Sequence, residues 1–305
     1  MEVKCAPVPV EKPAVEKIPT DEKAQHKRHG DAERAKSSQK QVKRIAEHHW
    51  LGALIEEHTE KDLPERTQHR ADMLRQRQQA NLERILKMAY ESCQDESARE
   101  PDPDWLTRFF DAAQNISGTA MQRLWAQILK LEVMQPGATS LKALSILRDL
   151  THREAQLLQR ACALATSFGN ESSRKIITGY RVEAGWKQLF KPSKPERLSL
   201  GDYQLSYSSL MQLVELGLIM RTELESGVIE MHPPMPLHYH NKQYMLTPVK
   251  QKTRILYYRF SPVGNELARL VGRQFNQNYL DDVINLLAVA FEVESGKGSQ
   301  LSFTI

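Results

Sequence analysis

Between Asp102 and Ala165 the chain sets down four amphipathic stretches with almost nothing between them, and no other feature limits the available folds so sharply. Trp105, Leu106, Phe109, Phe110 and Ala113 form the first apolar face; Met121, Leu124, Trp125, Ile128 and Leu131 form the second. Leu141, Leu144, Leu147 and Leu150 follow, then Ala155, Leu158, Ala161, Cys162 and Ala165. Steps of three and four place each set along one face of a helix. The punctuation agrees. Asp104 suits a cap, Thr119 with Gln122 and Thr151 with Glu154 have capping-box spacing, and Pro136-Gly137 stops one helix before Ser140 opens the next. Connections this short make neighbouring helices antiparallel, so a helical domain is expected over residues 65–170. Its first member is a long, more polar helix striped by Leu74, Gln78, Leu82, Ile85 and Ala89, with Leu86 beside them. That stripe faces either the domain or a second copy of the chain, which makes a homo-oligomer an expectation as well.

Around this domain the character changes. Residues 1–44 are rich in Pro, Lys, Glu and Gln and nearly free of aromatics, so they read as a disordered basic tail. Residues 45–64 read as a short helix, docking through Trp50, Leu51, Leu54 and Ile55, and a linker punctuated by Pro64. Beyond residue 170, 174–197 is mixed and basic and receives no assignment. Residues 205–219 read as a helix closed by Gly217; 227–232, 237–249 and 253–260 alternate like strands; 261–275 and 278–293 read as helices, Pro262 standing in a first turn. A helix, a hairpin and a helix in that order predict a winged-helix-like α+β domain over 171–305. The expected fold class is therefore mainly α, an N-terminal helical domain followed by a smaller winged-helix-like one.

Glu132 poses a local problem. It falls in the last turn of its helix, where the macrodipole is already negative and a carboxylate costs up to about 1 kcal/mol. The helix beginning at Ser140 offers compensation through its free N–H groups, and Lys142 and Arg148 lie on it. Trp125, Glu132, Pro136, Gly137, Ser140 and Lys142 thus read as a structural corner, with Glu132 bonded to the Ser140 helix start or to one of the two cations.

The residues of this corner also carry a resemblance. Asp102, Asp104, Trp105, then Leu124, Trp125, Ala126, then Glu132, Pro136, Gly137, Ser140 and Lys142 resemble the pattern of an uncharacterised bacterial protein family, most strongly over residues 65–170. That family has arginine where this chain has Lys142, and lysine cannot make the bidentate pair an arginine could. More distantly, the segment is similar to the alpha family of abortive-infection proteins. The first likeness implies no activity; the second implies a phage-defence effector.

Patterns that carry catalysis are missing from the sequence. It holds no phosphate-cradling P-loop, dinucleotide fingerprint, zincin helix or nucleophile elbow. His232, His238 and His240 can be drawn as a metal site, the last two at alternate strand positions, but no cysteine or nearby carboxylate completes it. A proline-rich loop leading into a strand accounts for them more simply. His48 and His49 diverge on a helix, leaving His58 without a partner set. Asp102 with Asp104, and Asp281 with Asp282, stand at helix starts, where acids suit the dipole. Cys5, Cys93 and Cys162 show neither disulfide nor zinc spacing and fit a reducing compartment. Neither enzyme activity nor a cofactor is expected.

Charge leaves nucleic acid open. The net +4 is small, but residues 23–44 hold eight lysines and arginines against two acids. Residues 242–259 hold five and no acid, with Tyr244, Tyr257 and Tyr258 interleaved. Lys242, Lys250, Lys252, Arg254, Arg259 and Tyr257 are the candidate phosphate contacts. The helix that would read bases, within 202–220, has no Lys or Arg, which disfavours sequence-specific recognition. No apolar run of about 18 residues and no leader-like stretch occurs, so a cytoplasmic protein without a membrane span is expected. The function these readings support is non-catalytic interaction, as a scaffold or adaptor with an unidentified protein partner or by non-specific contact with nucleic acid. The alternative is an abortive-infection-type effector.

Overall fold

The computed structural model describes residues 37–55, 62–94, 98–183, 194–271 and 274–296. Most of the tail read as disordered, together with Cys5 and His58, lies outside them. Packing divides the chain into two units, Met1–Gln76 and Arg77–Ile305.

In the first unit, residues 37–48 form helix α1, so the last part of the predicted tail is helical. Trp50, at φ 58°, ends α1 in the left-handed conformation, where Leu51 N–H donates to Ala46 O at 2.8 Å and Trp50 N–H to Glu47 O at 3.1 Å. That pair of bonds is the usual left-handed helix stop, a position that glycine holds without steric cost and a bulky residue does not. A 3-10 turn, Gly52–Leu54, follows. Helix α2 (Leu63–Ser92) then begins, with Asp62 Oδ1 accepting from Glu65 N–H at 3.0 Å.

In the second unit, α2 buries Asn81, Ile85 and Ala89. Helices α3 (Pro103–Ala113), α4 (Thr119–Met134), α5 (Leu141–Asp149) and α6 (His152–Ala163) follow close to their expected places. Asp102, rather than Asp104, caps α3 by accepting from Trp105 N–H, and Thr151 with Glu154 forms the capping box of α6. The expected box at Thr119 and Gln122 does not form. Gly118 is the cap, and Gln122 is buried, donating to Ile116 O at 2.9 Å and to Asn81 Oδ1 at 3.3 Å.

Strands β1 (Ser167–Phe168), β2 (Lys175–Val182) and β3 (Glu196–Arg197) precede α7 (Tyr207–Glu215). Then come β4 (Leu224–Glu225), β5 (Met235–Tyr239), β6 (Lys242–Pro248), β7 (Thr253–Arg259), α8 (Pro262–Leu270), α9 (Gln277–Leu287) and β8 (Phe291–Ser295). All pairing is antiparallel, in two four-stranded sheets ordered β1-β5-β6-β8 and β3-β2-β7-β4.

This overturns the expected fold class. The described residues form nine helices and eight strands in a mixed α/β arrangement, not a mainly helical chain with a helical N-terminal domain. The physical reason is where the helices bury their faces. Ile85, Trp105, Trp125, Leu144 and Leu158 share one continuous core with Ile176, Leu237, Ile255, Leu267, Tyr279 and Phe291, so helices and sheets complete each other. Nor do the strands make a wing. The segment read as one strand, 237–249, is instead a hairpin of β5 and β6 that turns at residues 240–241. β6 and the next expected strand, β7, belong to different sheets, because the turn at residues 249–252, with Lys252 at φ 56°, carries the chain from one to the other. The unassigned basic segment supplies β2, the long central partner of β7. The predicted strand 227–232 has no strand structure, and the predicted helix 278–293 ends at Leu287 to release β8.

Gly264 sets how closely α8 is held. A Cβ there would sit 1.9 Å from Leu218 O, and Ser261 ties the same approach by donating from its N–H to Leu218 O and from its hydroxyl to Gly217 O. None of the helices among the described residues is long and apolar enough to cross a membrane.

Candidate interaction surface

The corner between α4 and α5 is built around carboxylates. Glu132, 1% exposed, accepts from Gly137 N–H at 2.5 Å and from Thr139 N–H at 3.0 Å. A buried carboxylate is tolerable only with such donors. Ser140 N–H donates instead to Glu266 on α8, at 2.8 Å, while the Ser140 hydroxyl caps α5 by accepting from Ala143 N–H. Thr139 O accepts from the Trp105 indole N–H at 2.8 Å. Glu132 therefore reaches the loop amides rather than the helix start or a cation. Arg148 pairs with Asp149, and Lys142 is exposed. Trp125 is fully buried against Phe109, and Pro136 and Gly137, the latter at φ 83°, form the turn. Glu266 escaped the sequence reading because nothing local marks a residue that acts 126 positions away.

The candidate phosphate contacts do not converge. Lys242 is on β6, where it donates to Gln277 at 3.3 Å and lies 4.9 Å from the centre of the Phe275 ring. Arg254 and Arg259 are on β7 in the other sheet, an odd number of residues apart and so on opposite faces. Each has an acid: Glu183 binds Arg254 at 2.6 Å and Lys252 at 3.7 Å, and Glu171 binds Arg259. Tyr257 packs edge-on against Phe168, and Lys250 is exposed in the turn. Elsewhere in that sheet Arg181 pairs with Glu225 at 2.8 Å and Arg197 with Glu223 at 2.6 Å.

The perturbed groups are structural too. Lys175, 2% exposed, donates to Phe168 O at 3.3 Å, pairs with Glu171 at 3.3 Å and lies over the Phe168 ring. Desolvation pushes its pKa down, and Glu171 opposes that. Standing where β2 begins and touching β1, it joins the two sheets. Tyr279 is fully buried and donates to Ile177 O at 3.0 Å, Tyr239 to Ala163 O at 2.5 Å, and Tyr203 to Asp282 at 2.6 Å. Burial raises all three phenols. Burial also pushes the Cys162 thiol up to about 12, which removes the thiolate that a nucleophile or metal ligand needs. Asp281 accepts from Gln277 within α9, whose cap is Asn276. His238 is on β5, His240 in the turn after it and His232 in the loop before. Among the described residues, histidine, cysteine and acid side chains nowhere gather in a group of three that could hold a metal.

The surface without a structural explanation is in the first unit. Val42, Ile45, Trp50, Leu51, Leu54, Ile55 and Leu63 are each about half exposed or more, and Leu54 is fully so. Only Ala46 and Gly52 of residues 37–55 are buried. Lys40, Lys43 and Arg44 are exposed on the same helix, against one acid, Glu47, which pairs with Lys43 at 3.8 Å. Trp50 meets the ring of His69 edge-on, with centroids 4.2 Å apart. The sequence reading found Trp50, Leu51, Leu54 and Ile55 but expected them to dock. It missed Val42 and Ile45, whose spacing of three among cations was the available signal. Of the α2 stripe expected to face either the domain or a second copy, Ile85 and Ala89 lie in the core with Leu82 packed on it, while Leu86 beside them is exposed.

The chain belongs to DUF2806, a family of proteins of unknown function, whose model matches residues 65–284. None of the curated proteins and none of the solved structures matches it. The family match covers the corner, nearly all of α2 and every strand except β8, and stops short of the apolar surface at residues 42–55. It bears on the family of unknown function alone; the likeness to the abortive-infection alpha family has no counterpart among the matches.

Proposed function

We propose that this member of DUF2806 is a non-catalytic interaction protein that works through the surface of α1 and the turn after it. The single observation behind the reading is the set of exposed apolar side chains Val42, Ile45, Trp50, Leu51, Leu54 and Ile55, because large apolar side chains grouped at the surface are the usual mark of a binding face. The chemistry elsewhere supports it. Glu132, Lys175, Asp282 and Cys162 are of the residue types that enzymes recruit, and each is absorbed into packing or a structural bond. Lys252, Arg254 and Arg259 answer to Glu183 and Glu171, which leaves Lys250 as the exposed cation of that turn and less for phosphate.

Hydroxyl-radical footprinting of the chain inside cells and of the purified protein tests this reading. Residues 42–55 are expected to be protected in cells and reactive when purified. Equal reactivity in both would show that nothing covers them and would remove the proposal.

A further inference from the structure

We infer that the occupant of this surface is an anionic lipid surface, on which residues 40–55 lie without crossing it. The inference rests on the interaction reading above and names its partner. Three observations single out lipid.

The first is the pairing of charge with apolar area. Lys40, Lys43 and Arg44 are exposed on α1 beside Val42 and Ile45, and Trp50, Leu51, Leu54 and Ile55 follow within one short turn. An interfacial segment needs both: cations for the headgroups, and Trp, Leu and Ile for the acyl boundary. A nucleic acid would use the cations and gain little from a fully exposed Leu54. A second copy would cover the apolar side chains but bring its own basic segment against this one, and residues 23–44 carry eight lysines and arginines against two acids. The cations stop at Arg44, before Trp50, Leu51, Leu54 and Ile55, and the acids Glu56, Glu57, Glu60, Asp62 and Glu65 follow in the sequence with only Lys61 among them, which limits the docked stretch to residues up to about 55.

The second is Trp50. A tryptophan at φ 58° occupies a position that L-residues disfavour, and among the described residues its ring neighbour is His69. Holding a half-exposed indole at the bend between a basic helix and an apolar turn sets it at the depth where tryptophan partitions in a bilayer. The third is placement in the chain. The segment lies before residue 65, outside the region the family model matches, as an attachment device added to a common body would.

Vesicle flotation of the full chain tests the inference, with phosphatidylcholine vesicles containing or lacking roughly one third phosphatidylglycerol. The chain should float with the anionic vesicles and not with the neutral ones, and high salt should release it, because exposed charges are screened. Combined Lys40→Gln, Lys43→Gln and Arg44→Gln should weaken binding by up to roughly a hundredfold, about fivefold for each charge. Leu51→Ser with Leu54→Ser should abolish it. Both sets change exposed residues only, and an unchanged thermal melt verifies that they fold. Failure to float with anionic vesicles at low salt overturns the inference, and so does flotation that neither variant alters. If flotation fails while footprinting shows residues 42–55 protected in cells, the interaction reading stands with a different partner. Dimerisation abolished by the Leu51/Leu54 variant, without flotation, would identify that partner as a second copy.

Discussion

Glu132 and Glu266 bind adjacent backbone amides: Glu132 accepts from Thr139 N–H at 3.0 Å and Glu266 from Ser140 N–H at 2.8 Å. One carboxylate comes from the helix that enters the turn and the other from α8. The turn is therefore fixed from both sides by carboxylate acceptors. Removing Glu132 leaves the buried Thr139 N–H without a partner, a loss of about 1–3 kcal/mol, and opens space beside it. Glu132→Ala is expected to lower unfolding free energy by about 2–3 kcal/mol and Glu266→Ala by about 1 kcal/mol. Because they share one turn, the double variant should depart from additivity by about 0.5 kcal/mol or more in urea unfolding. Strict additivity would mean that the two carboxylates act independently.

Gly264 lies where α8 passes directly against the Leu218 backbone after α7. Since a Cβ would fall 1.9 Å from the Leu218 carbonyl oxygen, backbone must move to admit it. Gly264→Ala should cost about 1–3 kcal/mol, even though alanine favours helices over glycine. A urea midpoint equal to that of the parent would show that α8 can shift freely.

Cysteine reactivity separates buried from exposed thiols. Cys93 is exposed and Cys162 buried with its pKa pushed to about 12. A thiol reagent at mildly alkaline pH should label Cys93 in the folded protein and reach Cys162 only on unfolding. Mass mapping of the labelled peptides decides it, and rapid native labelling of Cys162 would contradict its burial.

Alkaline pH should unfold the second unit through its tyrosines. Burial raises the phenols of Tyr203, Tyr239 and Tyr279 above their usual value near 10. The folded state thus keeps protons that the unfolded chain gives up. That contribution to stability is complete below about pH 10 and declines as pH rises beyond it. Phenolate absorbance and circular dichroism should change together in an alkaline titration. Ionisation of these three tyrosines ahead of any loss of structure would refute the assignment.

Much of the helical half could be read because its signals are local. The 3.6-residue rhythm and the Thr151–Glu154 capping box act within a few residues, and α3 to α6 form where they direct. The sheets could not be read that way. β6 and β7 alternate well enough to be strands, but alternation says nothing about which neighbour a strand takes, and they take different ones. At 291–295 Phe291 and Val293 alternate with Glu292 and Glu294, a strand rhythm too short to stand out from the helical run before it, and the pairing of Val293 with Leu246 decides for β8. The corner was legible as far as its turn and its buried acid. Glu266 was not, since its role follows from tertiary approach alone. On the candidate surface, composition identified the apolar residues but could not show that the fold would leave them uncovered.

The shared core has a consequence for how the protein is made. Helices α3 to α6 leave the ribosome before any partner strand or α8 exists, yet their buried faces are completed by Leu267, Tyr279 and Phe291 near the far end. Synthesis therefore produces the helices long before it produces what they pack on. Until the last strands arrive, those faces wait open, and a nascent chain halted near residue 170 is an unfinished surface that needs shelter rather than a small folded protein.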